Sequence, residues 1–349
     1  MALVGSYPAS GNTFVPSFDA TGKLVVAFSR NEKDFPVNQY VHITKVEKEK
    51  GFYLRIDTTE ADQIAGGTSS NYSEFLWHDG NDAPQLTWGT EAFKFFPYET
   101  ERQVNGWKLG YKALEQADFD LRGYLNAIHA QKCMTIRTAR VSTVLETAAN
   151  YDSGHTSDVD AIADQWDAGT ATTPFILESL NHGLQTIQKA TYYSVKPEDV
   201  IVRINPVAAA KMAESQEVHT YVKENPVAKE KLLGKGPFKA SQYGFPLDLY
   251  GYNWVIEDAT VNSSLDNVAV SRSYIADDDK AVMLLRPGGI NSAAGQGNFS
   301  TCHLFVYEEM TVENRDDPDN RRENGRVITD YDVKLVAPAT CFLFTDILT

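Results

Sequence analysis

Residues 112–149 read KALEQADFDLRGYLNAIHAQKCMTIRTARVSTVLETAA and contain no proline. Apolar residues recur in this stretch at steps of three and four, as from Leu121 to Leu125 and Ile128, which places most of them on one side of a helix. At 1.5 Å per residue, a continuous helix over the whole stretch has a length of about 57 Å. Because a compact domain does not need a helix of that length, we expect it to brace an extended molecule.

The chain before this stretch is rich in extended and aromatic segments. Residues 1–38 combine small polar residues with scattered apolar ones, which predicts an arm that needs a partner surface; a frayed terminus is the alternative. A two-stranded ribbon is predicted across the charged turn Glu47–Gly51, with its first strand at Val41–Val46 and its second where Phe52, Leu54 and Ile56 alternate. Residues 75–107 contain eight aromatic side chains, which suit a protein interface and an ordinary core equally well.

The chain after the long stretch mixes helices and strands. Thr173 and Pro174 begin a second predicted helix, and a short apolar strand over 200–204 leads into a third helix that Asn205 caps. The stretch FPLDLYGYNWVIEDA, residues 245–259, predicts a strand with a buried aromatic residue, and three further strands are predicted to close the chain. This order of elements predicts an α+β fold with two interleaved lobes.

The composition excludes several classes of protein. The chain has 349 residues and 42% hydrophobic residues, so it can bury a sizeable core and is not a disordered chain. No apolar run approaches the length of a membrane span, and the first residues lack the pattern of a secretory signal. The formal net charge of −15 disfavours tight binding to nucleic acid. Cys133, Cys302 and Cys341 are far apart in sequence, so we expect free, buried thiols.

Sequence motifs that carry chemistry are not found. The glycines of residues 288–297 lack the strand-then-helix context of a dinucleotide site, and residues 234–236 lack the remainder of a phosphate loop. No two of the seven histidines stand three or four residues apart. Asp277–Asp279 lack the alternating ligands of a calcium loop, so we expect a solvated turn. The sequence therefore predicts no catalytic, cofactor-binding or metal-binding residue, although its many carboxylates leave an acidic hydrolase open.

Three segments carry a resemblance to a known family. Residues 110–118, GYKALEQAD, are similar to the start of the spine helix of tailed-bacteriophage major capsid proteins that have the Hong Kong 97 fold. Residues 197–206, PEDVIVRINP, resemble the start of the axial domain of that family, and residues 325–338, GRVITDYDVKLVAP, resemble the return strands of its peripheral domain. The resemblance covers nearly the whole chain and lies in the order of the segments rather than in one signature motif.

The resemblance implies a division of the chain into five parts. They are an N-terminal arm over 1–38, an extended E-loop with flanking strands over 39–106, a peripheral domain with the spine helix over 107–196, an axial domain over 197–300, and return strands of the peripheral domain over 301–349. The resemblance also implies a shell that expands while the spine helix bends. Gly123 is the candidate position for that bend, and a simple packing glycine is the alternative.

The function that the resemblance implies is that of a major capsid protein. Copies of the chain assemble as hexamers and pentamers into an icosahedral head shell, which encloses phage double-stranded DNA without binding it specifically. The implied partners are a separate scaffolding protein and a portal, with a decoration protein left open, and the implied location is the virion after assembly in the host cytoplasm. No enzyme activity, cofactor or membrane contact is implied. An encapsulin-like nanocompartment shell and, in a different class, an acidic hydrolase are the alternatives.

Overall fold

The computed structural model describes eight segments of the chain, residues 32–56, 93–117, 120–168, 174–191, 195–232, 242–264, 268–288 and 300–349. Most of the predicted N-terminal arm and residues 57–92 of the predicted E-loop lie outside these segments. The chain divides into two compact units, of which one comprises Met1–Glu49 with Thr100–Thr349 and the other comprises Lys50–Glu99.

The described residues combine helices and strands. They form seven α-helices: α1 (Val37–Tyr40), α2 (Tyr111–Glu115), α3 (Leu121–Glu146), α4 (Phe175–Ala190), α5 (Pro206–Ala213), α6 (Gln216–Glu224) and α7 (Pro226–Leu232). They also form thirteen β-strands: β1 (Val41–Lys45), β2 (Lys50–Ile56), β3 (Phe93–Glu99), β4 (Glu101–Gly110), β5 (Thr156–Asp158), β6 (Val200–Ile204), β7 (Asn253–Ile256), β8 (Thr260–Asn262), β9 (Arg272–Tyr274), β10 (Lys280–Leu285), β11 (Cys302–Asp317), β12 (Arg322–Leu335) and β13 (Cys341–Thr345). This content confirms the predicted α+β class.

The long helix is shorter than predicted. It begins at Leu121 because the side chain of Asp120 accepts a hydrogen bond from the backbone N–H of Gly123 at 2.9 Å, which is the geometry of an N-cap. The prediction of one helix over 112–149 is therefore wrong, since α2 ends at Glu115 before α3 begins. With 26 residues, α3 has a length of about 39 Å. Periodicity missed the break because apolar residues keep a helical spacing on both sides of it.

Gly123 lies in the first turn of α3 and not in its interior. A Cβ atom at this position would collide with the carboxylate of Asp120, so glycine permits the cap that begins the helix. The expected bend within the helix at Gly123 is therefore wrong, because no helical turn of α3 precedes the cap.

Two larger sheets belong to the unit that contains both chain ends. The four-stranded sheet has the order β1-β11-β12-β4, with β1 parallel to β11. The five-stranded sheet has the order β5-β13-β10-β6-β7. Of the three closing strands, β11 and β12 pair with each other, whereas β13 pairs with β10 in the five-stranded sheet. The division of the chain into five parts stays a prediction.

The five-stranded sheet lies in the larger of two apolar cores. All five residues of β6 are buried, and α4 packs on β13. Gly183 of α4 makes this close approach possible, because a Cβ atom there would lie 2.8 Å from the Phe344 ring and 2.9 Å from the Met283 sulfur. The helix and the sheet therefore share a dry interface at this point.

The second core lies between α3, the four-stranded sheet and the other face of the five-stranded sheet. Met134, Val141 and Leu145 of α3 are buried in it. Phe35 and Val37, which fall within the predicted arm, are buried in the same core. These two residues therefore attach the end of the predicted arm to the body of their own chain.

Candidate functional site

The described part of the chain contains no group of three or more His, Cys, Asp or Glu side chains that could hold a metal ion. Cys133, Cys302 and Cys341 are free and buried, as expected from their spacing. Burial raises the pKa of the Cys302 thiol to about 12, which keeps it protonated and poorly nucleophilic. Among the described helices, none combines the length and apolar character that crossing a membrane requires.

The turn at Asp277–Asp279 is attached to the end of the chain. The carboxylate of Asp279 accepts a hydrogen bond from the backbone N–H of Leu348 at 3.2 Å, and Lys280 lies 3.0 Å from the Asp277 carboxylate. All three aspartates are at least partly exposed, as the prediction of a solvated turn requires, and Asp279 in addition accepts from a segment distant in sequence.

An open pocket of about 430 Å³ lies where α2 and the start of α3 meet the β11–β12 hairpin. Its lining includes the carboxylates of Glu115, Asp316 and Glu323. Side chains of the same chain bind two of them, Asp316 and Glu323. The Tyr111 hydroxyl donates to Asp316, and Arg122 lies 2.5 Å from Glu323. The hydrogen bond to Asp316 raises the pKa of Tyr111 to about 12. These pairs give the carboxylates a structural role, so the pocket gives no support to the hydrolase alternative.

Two histidines that are distant in sequence come together on the four-stranded sheet. His42 of β1 and His303 of β11 are paired in register, and their ring centroids are 5.1 Å apart. Nδ1 of His303 lies 3.0 Å from Thr44 Oγ1, and Nε2 lies 3.1 Å from the carbonyl oxygen of Ser300. Burial, with a contribution from His42, lowers the pKa of His303 to about 4. His303 is therefore neutral near pH 7, with Nε2 donating and Nδ1 accepting.

The lowered pKa of His303 predicts a loss of stability in acid. The unfolded chain protonates this residue near its ordinary pKa of about 6.5, so the contribution of His303 is full above that pH and is lost as the pH falls towards 4. Between about pH 7 and about pH 5, this change lowers the free energy of unfolding by about 2 kcal/mol. Urea unfolding at both pH values measures it. His303→Gln should show a pH dependence smaller by that amount, and an equal dependence in both proteins would contradict the prediction.

A buried polar cluster joins α1, α3 and the five-stranded sheet. Arg203 of β6 is only 2% exposed; its Nη1 donates to Glu146 Oε1 at 2.8 Å, and its Nη2 donates to Ser142 Oγ at 2.5 Å. The hydroxyl of Tyr40 donates to Glu257 Oε2 at 2.6 Å, and the Arg203 guanidinium lies 5.9 Å from the centre of the Tyr40 ring. One buried cation thus connects three elements of the fold.

The charges in this cluster depend on one another. Burial opposes the charge on Arg203, but Tyr40 and Glu146 outweigh that effect and raise the pKa of the guanidinium. Burial raises the pKa of Glu257, while Arg203 and the Tyr40 hydroxyl act in the opposite direction. Arg203 therefore stays charged and is the group that makes the two buried carboxylates tolerable.

The interface between α3 and the four-stranded sheet also contains several polar contacts. Trp107 donates to Asn126 at 2.9 Å, and His129 lies 3.0 Å from Asn105. The guanidinium carbon of Arg140 lies 5.2 Å from the centre of the Tyr331 ring, and further ion pairs join Arg140 to Glu101 and Arg122 to Glu323. Each such contact contributes on the order of 1 kcal/mol net. Polar contacts therefore hold α3 on the sheet along most of its length, in addition to the apolar contacts of its second half.

The second unit carries an exposed aromatic surface. Strands β2 and β3 form an antiparallel ribbon. The predicted ribbon, in which residues 41–46 pair with residues 52–56 across the charged turn, is wrong, because β1 pairs in parallel with β11 and β2 pairs with β3. Phe52 and Phe95 lie on the same face of this ribbon and are 71% and 68% exposed. Tyr53 and Phe96 stack on the opposite face, with ring centroids 5.7 Å apart. An exposed aromatic face of this kind indicates a surface that binds another molecule.

Comparison with known proteins gives matches at the level of structure. Comparison with models of protein families finds no match for the sequence, and neither does comparison with curated proteins. Among solved structures, a phage-related protein from Bordetella bronchiseptica matches with a TM-score of 0.56 and 12% identity, over 91% of this chain and 93% of that chain. Mycobacterium phage Bobi matches with a TM-score of 0.54 and 10% identity, over 95% of each chain. The mature capsid of bacteriophage PhiM1 matches with a TM-score of 0.52 and 12% identity, over 95% of this chain and 92% of that one.

These matches cover nearly the full length of both chains, so they concern the whole architecture and not one shared motif. At 10–12% identity they establish the fold and leave the function to other arguments. The chain therefore has the α+β fold of the Hong Kong 97 type, as the order of its segments predicts.

Proposed function

We propose that this chain is a major capsid protein, whose copies assemble into the icosahedral head shell around phage double-stranded DNA. The observation that carries the proposal is the exposed aromatic face of the β2–β3 ribbon, in a chain that shares its fold with phage capsid structures over nearly its whole length. In a shell, every copy of the chain has a neighbouring copy that can cover this surface. In this proposal the role of the chain is structural, and it has no enzyme activity.

The physical basis of assembly is the burial of surface between copies. Each Å² of apolar surface removed from water contributes roughly 25 cal/mol before the costs of ordering are subtracted. Two exposed phenylalanines on every copy therefore form a repeated contact. The proposed hexamers and pentamers would use the same contact at slightly different angles. The proposed arm over 1–38 would add to it, and the proposed peripheral and axial domains would form the wall.

The charge of the chain suits a container for DNA. A net charge of −15 does not favour tight binding to a polyanion, so the enclosed DNA would remain free to enter and leave. A portal would provide the route for that passage, and a separate scaffolding protein would set the size of the shell. The proposed location is the virion, after assembly in the host cytoplasm.

Electron microscopy of the expressed full chain tests the proposal. We expect negative staining to show closed shells of uniform size, and we expect a variant without residues 1–31 to remain soluble but to form no stable shells. The deletion stops at residue 31 because Phe35 and Val37 belong to the core. A chain that stays monomeric at all concentrations would contradict the proposal. Shells that enclose a co-purifying enzyme instead of DNA would favour the nanocompartment alternative.

A further inference from the structure

A cluster of three carboxylates and one guanidinium lies on the four-stranded sheet. Arg102 of β4 is the cross-strand partner of Asp330 on β12, and Asp330 is also the partner of Glu308 on β11. Side chains alternate along β12, and Tyr331 faces α3, so Asp330 points to the opposite face of the sheet. Glu49 completes the set, which we call the acidic cluster.

Arg102 is shared among the carboxylates and satisfies none of them fully. Its guanidinium nitrogens lie 3.7 Å from Asp330, 3.8 Å from Glu308 and 4.0 Å from Glu49. All three distances exceed those of a good hydrogen bond. The acidic cluster therefore carries two uncompensated negative charges, since one cation stands against three anions.

Asp330 shows that a donor is missing. Its side chain is 2% exposed, and its Oδ1 atom is buried without a hydrogen-bond donor from any described residue. Asp332, two residues later on the same face, differs: its carboxylate accepts from the N–H of Val333 at 2.8 Å and lies 3.2 Å from the Lys334 ammonium. A buried acceptor without a donor is costly and rare in folded proteins. The contrast between the two aspartates indicates that no described residue supplies the donor that Asp330 lacks.

We propose that the acidic cluster receives a lysine or arginine side chain from a second copy of this chain. A cationic N–H group supplies both the missing charge and the missing donor. A metal ion fits less well, because Arg102 already lies between the carboxylates and the described residues hold no metal-binding group of acidic side chains. Glu49 and Arg102 are 56% and 54% exposed, so the cluster is open to a partner. The inference rests on the proposed function, which places identical copies side by side.

Asp330→Asn tests the inference through effects of opposite sign. In dissociated subunits, the variant removes a buried charge that lacks a donor, so the free energy of unfolding should stay the same or rise. In the shell, the variant removes the partner of the incoming cation, so the subunit concentration needed for assembly should rise about tenfold. Glu308→Gln should raise that concentration in the same direction. Glu313→Gln is the matched control, because Glu313 lies on the same strand and pairs with Arg326 of its own chain at 2.7 Å.

Cross-linking identifies the partner directly. Shells assembled from a mixture of isotopically light and heavy subunits are treated with a carbodiimide, which joins carboxylates to lysines that are in contact. We expect mixed light–heavy peptides that contain Glu49 or Glu308 when the incoming group is a lysine. An incoming arginine would give no such peptide. In that case, the subunit concentration that Asp330→Asn needs for assembly tests the inference.

Three results would overturn the inference. If Asp330→Asn destabilises dissociated subunits and assembles as Glu313→Gln does, the cluster is an internal ion pair. If Asp330→Asn changes neither quantity, a water molecule satisfies Oδ1. If the wild-type chain forms normal shells, either of these results contradicts this inference alone. A wild-type chain that forms no shells contradicts the proposed function as well.

Discussion

Replacing Arg203 with methionine is expected to lower the free energy of unfolding of dissociated subunits by about 3–5 kcal/mol. Arg203 is the cation of the buried cluster, and it donates hydrogen bonds to Glu146 and Ser142. Methionine fills a similar volume, so the loss comes from the charge and the hydrogen bonds rather than from a cavity. The carboxylate of Glu146 would then remain largely buried without its charged partner, which is a strongly destabilising arrangement.

Urea unfolding of the dissociated subunits measures this loss. Arg326→Met is the matched control, because Arg326 and its partner Glu313 are 55% and 48% exposed and lie 2.6 Å apart. The control should lose no more than about 1 kcal/mol, as is usual for a solvent-exposed ion pair. Adding Glu146→Gln to Arg203→Met should recover part of the loss, since the unpaired charge is then removed. A loss in Arg203→Met as small as that of the control would show that the cluster contributes little to stability.

Local sequence signals predicted several elements correctly. Asn205 caps α5 as expected, with its side chain accepting from the N–H of Val207 at 2.6 Å. The strand over 200–204 forms as β6, and the alternation from Phe52 to Ile56 predicted the strand that forms as β2. Each of these features depends on residues that are near neighbours in the chain, so composition and spacing contain the needed information.

Contacts between distant residues were not predictable in the same way. Arg203 appears in the sequence as one polar residue in the apolar strand VIVRI, and nothing near it indicates its partner Glu146, 57 residues earlier. His42 and His303 stand 261 positions apart, and only the parallel pairing of β1 with β11 brings them together. The unsatisfied oxygen of Asp330 likewise depends on three strands being in register. Such sites require the fold before their chemistry can be inferred.

The break between α2 and α3 is an intermediate case. Asp120 is a residue type that is favoured at the N-cap, and its carboxylate accepts from the N–H of Gly123, three residues later. The prediction followed the periodicity instead, because Leu114, Ala117 and Leu121 continue the apolar spacing across the break. A cap residue inside an apparently continuous helix is therefore grounds for predicting two helices.

Replacing both Phe52 and Phe95 with serine is expected to prevent shell formation while leaving the stability of dissociated subunits unchanged. Both side chains are more than two-thirds exposed in the isolated chain, so they contribute little to its own core. Burial of each phenylalanine against another copy is worth about 2 kcal/mol, so the pair contributes about 4 kcal/mol per copy. That loss corresponds to an increase of about a thousandfold in the concentration needed for assembly.

The conservative double variant, Phe52→Tyr with Phe95→Tyr, separates the loss of aromatic area from any other effect of substitution. Tyrosine retains the ring, and its hydroxyl remains compatible with a partly wet interface, so this variant should still form shells. Light scattering against subunit concentration, with electron microscopy of the products, measures both variants, and urea unfolding confirms that each subunit is folded. Serine variants that assemble at the wild-type concentration would show that the ribbon surface does not hold copies together. The aromatic face would then need another explanation, because two side chains that are more than two-thirds exposed contribute little to the stability of the isolated chain.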